Sequence, residues 1–166
     1  MNFEIKTLIA DERPRLLQYA CYRLGNMQDA EDAVQDVLAN LHQQLSSGAA
    51  VHDPTAYLFR SLANRCTSRQ REAARLQTVP LLTTTPMATT DSDDEDFEQE
   101  YHRISQLLSQ IPDEQAEIIR LRFYGDKSFR EIAQILNLPL TTAKSRFVYG
   151  IEKIRKGLTA CGLMKR

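Results

Sequence analysis

The chain has 166 residues, three cysteines, no tryptophan and a formal net charge of −1. That length suits one domain or two small ones, and no apolar stretch approaches the length of a membrane span. The charge is unevenly distributed: residues 1–76 carry nine basic and nine acidic side chains, residues 77–100 none and seven, and residues 101–166 twelve and six. Only the C-terminal block has the basic excess that phosphate binding needs.

Period-3.6 apolar patterns dominate, while β-branched alternation and hairpin turn pairs are nearly absent, so the chain is predicted to be all-α. Glu4, Lys6 and Asp11 interrupt any apolar run at the start, which argues against a signal peptide. A first helix is expected over 3–11. A second is expected from Pro14 to Gly25, burying Leu16, Leu17, Ala20 and Leu24. Asn26 caps a third, over 27–45, whose buried stripe is Ala30, Ala33, Val34, Val37, Leu38, Leu41 and Leu45. Asp53-Pro54 opens a fourth that reaches about Arg75. From Gln77 to Asp96 the helical period is lost in a Thr-, Pro- and Asp-rich segment that is expected to be a flexible linker. Helices then resume over 97–110, 113–124, 129–136 and 140–158. The expected organisation is two small helical domains, 1–76 and 97–166, joined by the linker 77–96.

Ser128 to Phe147 has the spacing of a helix-turn-helix, which holds one helix against the major groove of DNA. Ser128 and Glu131 form a capping box, and Ile132, Ala133 and Leu136 a buried stripe. Asn137 suits a left-handed turn and Pro139 the first turn of the next helix. Ala143, Phe147, Ile151, Ile154 and Leu158 mark that helix's buried side, leaving Thr142, Lys144, Ser145, Arg146 and Tyr149 outward. Gly150 is expected to weaken it by about 1 kcal/mol relative to Ala.

Two further faces carry charge. The helix over 27–45 displays Asp29, Glu31, Asp32, Gln35 and Asp36, which is a docking face for a basic partner if it is not merely solvated. The fourth helix sets Arg60, Arg65, Arg69, Arg71 and Arg75 against Glu72 alone, with Tyr57, Phe59 and Asn64 available to bases. No catalytic constellation stands out: His42, His52 and His102 are scattered, and there is no phosphate loop, H-E-x-x-H or G-x-S-x-G. Cys21, Cys66 and Cys161 lack partners at metal-ligand spacing and read as reduced thiols of a cytosolic protein. No metal, cofactor or small-molecule substrate is expected, and the protein is not expected to be an enzyme.

The motifs D-A-E-D-A-V-Q-D-V-L (29–38), P-T-A-Y-L-F-R-S-L-A-N-R (54–65), I-P-D-E-Q-A-E-I-I-R-L-R-F (111–123) and the helix-turn-helix together resemble a bacterial sigma factor. The similarity is to the extracytoplasmic-function group of the sigma-70 family, which keeps only sigma regions 2 and 4. The resemblance implies a subunit of RNA polymerase that directs promoter-specific initiation. By that analogy Asp32, Gln35 and Asp36 dock on the β′ clamp helices of core polymerase. Arg60, Asn64, Arg65, Arg69 and Arg71 serve the −10 element, with Asn64 and the loop 48–55 at the pocket for a flipped-out base. Arg122, Lys144, Ser145, Arg146, Val148 and Tyr149 serve the −35 element, Arg146 through phosphate. The resemblance also implies contact with the β flap, and an anti-sigma factor, often membrane-bound in this family. Tyr57, Ser68 and Tyr149 depart from the commoner Trp, Asp and Arg, which bears on promoter sequence rather than on function.

The main rival is a free-standing helix-turn-helix repressor or activator. Such proteins bind paired half-sites as dimers, and this chain has no heptad seam. A nucleic-acid-processing enzyme would need an acid cluster or nucleophile in a folded lobe. A pure adaptor or anti-sigma factor would not need Lys144, Ser145 and Arg146 displayed together.

Overall fold

The computed structural model describes residues 3–77 and 92–160. Seven helices follow in order: α1 (Phe3–Leu24), α2 (Met27–Ser46), α3 (Pro54–Gln77), α4 (Ser92–Ser109), α5 (Asp113–Phe123), α6 (Phe129–Leu136) and α7 (Leu140–Ala160). The all-α class stands, with no strand among the described residues. None of the described helices is long and apolar enough to cross a membrane.

Two boundaries differ from expectation. Residues 3–24 form one helix with Pro14 inside it, not two helices separated there. Proline removes one backbone hydrogen bond and crowds the carbonyl four residues back. Ala10 and Pro14 are both exposed, so the break lies on the solvent side of the helix, while Leu16, Tyr19, Ala20 and Cys21 bury the following turns. Packing of that second half carries the helix through the local break. The second difference is at α4, which begins at Ser92 rather than 97. The acids that suggested a solvated tether also suit a helix start, where the macrodipole favours negative charge. The rest of the expected linker, 78–91, lies outside the described residues, as does Cys161.

The chain divides into two compact units between Tyr101 and His102, inside α4. In the first unit α1, α2 and α3 pack mutually around Leu16, Tyr19, Ala33, Val37, Leu41, Leu58, Phe59 and Leu62. Tyr19 and Phe59 meet edge to face with centroids 6.2 Å apart. Arg23, nearly buried, donates to Tyr19 Oη (3.2 Å), Thr67 Oγ1 (2.9 Å) and Gln70 Oε1 (3.1 Å), and Gln70 Nε2 donates back to its carbonyl at 2.7 Å. This network fastens the end of α1 to the middle of α3 and gives both terminal nitrogens of a buried cation acceptors that offset its burial.

The opening turns of α4 also belong to this unit. Phe97 meets Tyr22 at 5.3 Å between centroids and stacks on Tyr101 at 6.4 Å. Burial first, then the neighbouring Glu100 carboxylate, pushes the Tyr22 phenol above the usual tyrosine range. Gly25 (φ +87°) ends α1 in the left-handed region, and a Cβ there would lie 2.8 Å from the Tyr101 ring. Burial likewise pushes the Cys21 thiol up.

The second unit builds on Leu108, Ile111, Ala116 and Ile119, with Ile104, Phe147, Ile151 and Ile154 packed against them. Ile132, Ala133, Ile135 and Ala143 close the helix-turn-helix. In α6 it is Ile135 that is buried, while Leu136, expected in the stripe, is only partly so. Gly150 has a different role from the weak point expected of it. A Cβ would lie 2.9 Å from Ile119 Cδ1 and 3.3 Å from Gln115 Cβ, so its absence lets α7 cross α5 closely.

Candidate nucleic-acid interface

The helix-turn-helix is fixed by its own local chemistry. Ser128 Oγ accepts from the Glu131 N–H at 3.2 Å, and the Ser128 N–H donates to Glu131 Oε2 at 2.8 Å, completing the capping box. Asn137 turns the chain at φ +53°, and the Leu138 N–H donates to the Ala133 carbonyl at 2.9 Å. Phe129 then meets Phe147 edge to face at 5.1 Å. With α7 held through Ala143, Phe147, Gly150 and Ile151, its opposite face presents Lys144, Ser145, Val148 (52% exposed) and Tyr149 (58% exposed). These sit at i, i+1, i+4 and i+5, one side of a helix. The Ser145 hydroxyl donates to the Thr142 carbonyl at 3.1 Å, which leaves its lone pairs as acceptors.

Two residues expected with them are placed differently. Arg146 turns to Glu114 at the start of α5, with Nη2 3.4 Å from Oε2. Arg122, in the last turn of α5, reaches over the α5–α6 turn, donating to the Lys127 carbonyl at 3.0 Å with its guanidinium 5.1 Å from the Phe129 ring centre. The residue is exposed, and one terminal nitrogen of its guanidinium is held by the turn. Phe123, absent from the expected set, is 60% exposed and 6.0 Å from Phe147. It follows Ala116 and Ile119 at helical spacing, so the sequence carries no sign that the helix end would leave it exposed.

In the first unit, Asp32, Gln35 and Asp36 all lie exposed on α2, opposite the buried Ala33, Val34 and Val37. The basic helix α3 is less uniform than expected. Arg60, Asn64 and Arg71 are exposed, whereas Arg65 and Arg69 turn to α2 and pair with Asp36 (2.9 Å) and Asp29 (3.3 Å). Phe59, expected to be available to bases, is fully buried against Tyr19, and that corrects the expectation. Its position three residues before Leu62 puts it on the core stripe. Asp53 Oδ1 accepts from the Ala56 N–H at 3.0 Å, capping α3 as its sequence implied. Among the described residues no group of three or more His, Cys, Asp or Glu is placed to hold a metal ion.

A two-unit helical protein with a capped helix-turn-helix and a polar, partly basic outer helix face belongs to the class of helix-turn-helix transcription proteins. Residues 8–76 match the family described as Sigma-70 region 2, and residues 107–156 match Sigma-70, region 4. Among curated relatives, the chain is 29% identical over 150 residues to the ECF RNA polymerase sigma factor SigW of Bacillus subtilis, covering 83% of this chain and 80% of that one. It is 27% identical over 135 residues to the ECF RNA polymerase sigma factor RpoE of Cereibacter sphaeroides, covering 78% and 72%. Its fold is similar to that of the sigma factor RpoE from Bartonella quintana, solved in complex with the anti-sigma factor NepR. That likeness has a TM-score of 0.63 at 23% identity, over 94% of this chain and 97% of that one. The chain belongs to the sigma-70 family, as an extracytoplasmic-function sigma factor that directs promoter-specific transcription initiation.

Proposed function

We propose that the first unit docks on the β′ clamp helices of core RNA polymerase through Asp32, Gln35 and Asp36, and serves the −10 element with the exposed face of α3, where Arg60, Asn64 and Arg71 stand. The second unit lays α7 in the major groove of the −35 element, with Lys144 toward phosphate and Ser145, Val148 and Tyr149 toward the bases, and meets the β flap. The observation that carries this reading is the division of α7. One face is locked by Ala143, Phe147 and Gly150, and the other leaves a cation, a hydroxyl, an apolar group and a phenol side by side. That mixture suits base edges, thymine methyls and phosphate at once. The protein works in the cytoplasm, without catalysis, cofactor or metal of its own. An anti-sigma factor is its regulator, as support from the Bartonella quintana complex suggests.

The test combines purified core RNA polymerase, the full chain and fragmented genomic DNA, with transcript 5′ ends sequenced. Start sites sharing one promoter class are expected, with Asp32→Arg losing core association and Tyr149→Ala losing start-site selection. Failure to bind core polymerase, or transcripts unchanged by adding the protein, would overturn the reading.

A further inference from the structure

The arginines of α3 separate by face. Arg60, Asn64 and Arg71 occupy exposed positions spaced by four and seven, which keeps them on one side of the helix. Arg65 and Arg69 are also four apart, but rotated toward α2. Arg65 donates to Asp36 through both Nε (3.0 Å) and Nη2 (2.9 Å), and both bonds fall on the same oxygen, Oδ2. Arg69 Nη1 lies 3.3 Å from Asp29 Oδ1. Its side chain is only 22% exposed, and its Nε is buried without a hydrogen-bond partner. Asp29 is in turn part of the cap of α2: its other oxygen accepts from Asn26 Nδ2 at 2.8 Å and its N–H donates to Asn26 Oδ1 at 2.8 Å.

A guanidinium so placed is poorly suited to a phosphate. The Nε–Nη2 edge of Arg65, the one that grips a phosphate through two parallel bonds, is occupied by Asp36, and Arg69 is largely withdrawn into the seam between α2 and α3 beside Asp29. The same geometry suits another task. Because Arg65 takes only Oδ2, the Oδ1 atom of Asp36 keeps its acceptor capacity, on a carboxylate anchored through its other oxygen. Ion pairs as exposed as Asp36–Arg65 contribute little to fold stability, so what this one supplies is orientation. Glu31 and Asp32 remain exposed on α2 to supply the field that attracts a basic partner.

We propose that Arg65 and Arg69 are positioning residues for polymerase docking rather than DNA ligands: Arg65 orients Asp36 one helical turn from Asp32, and Arg69 steadies the start of α2 through Asp29. The inference rests on the reading of α2 as the docking face, and its test separates the two.

Two affinities are measured for the full chain. One is for core RNA polymerase. The other is for random-sequence single-stranded DNA across a salt series. Arg65→Gln is expected to weaken core binding about two- to fivefold, the range of an exposed ion pair, while the slope of log affinity against log salt stays unchanged. Arg60→Gln is expected to do the reverse, lowering the slope by about 0.7 with core affinity retained. Asp36→Asn with Arg65→Gln is expected to be no worse for core binding than Asp36→Asn alone, because the two act as one unit. A purely structural Arg65 would lower the melting temperature and leave core affinity at 25 °C intact, and that result overturns the proposal. So does an Arg65→Gln variant whose salt slope falls by about 0.7 with core binding unchanged. If Asp32→Ala retains full core affinity, the docking reading itself fails, and the proposal with it. If Asp32→Ala weakens core binding and Arg65→Gln does not, only the proposal fails.

Discussion

At Gly25 two constraints coincide. The backbone is at φ +87°, where a Cβ clashes with its own chain, and the Tyr101 ring occupies the space that a Cβ would need, 2.8 Å away. Gly48 has nearly the same backbone, φ +81°, but nothing within 4 Å of a built Cβ. Gly48→Ala is therefore expected to cost only the left-handed penalty, about 1–2 kcal/mol. Gly25→Ala adds an overpacking cost of about 1–3 kcal/mol. Urea unfolding of the two variants checks this, and equal losses would mean that Tyr101 yields freely. The sequence identified Gly25 as a helix end, because glycine after an apolar period is a local signal. It said nothing of Tyr101, because a contact across so much chain leaves no mark in either neighbourhood. Phe59 failed for a related reason: aromatic rings are chosen both for cores and for bases, and only the packed neighbours of α1 decide which. Arg65 and Arg69 differ from Arg60 and Asn64 only by helical phase, and with no partner helix in view that phase has no meaning.

Among whole elements, legibility followed how locally each boundary is decided. α6 was expected over 129–136 and spans Phe129–Leu136, since its cap, its acid at the third position and its left-handed Asn137 all lie within ten residues. α1 was divided at Pro14 because proline is a strong local signal, yet the burial that overrides it comes from α2 and α3. The capping box also makes a prediction. Ser128→Ala removes the acceptor for the Glu131 N–H and is expected to destabilise the second unit by about 1 kcal/mol. The urea midpoint should fall with the slope of the transition unchanged. Ser128→Asp keeps an acceptor and adds a charge that the helix start favours, so it should retain the midpoint. An Asp variant as damaged as the Ala variant would show that the hydroxyl is needed for something other than capping.

For the molecule as a whole, a net charge of −1 says little about a DNA-binding protein until the charge is assigned to its parts. The basic excess lies in the block that contains the helix-turn-helix, but the structure commits part of it internally: Arg146 to Glu114, Arg120 to Glu117 and Arg122 to the Lys127 carbonyl. Lys144 and Tyr149 share the exposed face of α7. They differ in chemistry, one a solvated point charge and the other a neutral amphipathic ring. On the proposed reading, their removal should therefore separate two components of promoter binding. With polymerase holoenzyme on duplex promoter DNA, Lys144→Ala should lower the slope of log affinity against log salt by about 0.9, the signature of one lost phosphate contact. Tyr149→Ala should leave that slope unchanged and instead reduce discrimination among −35 sequences, by about 1–3 kcal/mol at the base it touches. Binding across a library of −35 variants at two salt concentrations gives both quantities in one experiment. Should Lys144→Ala alter sequence preference while the slope holds, the lysine is reading a base edge, and the division of labour along α7 must be redrawn.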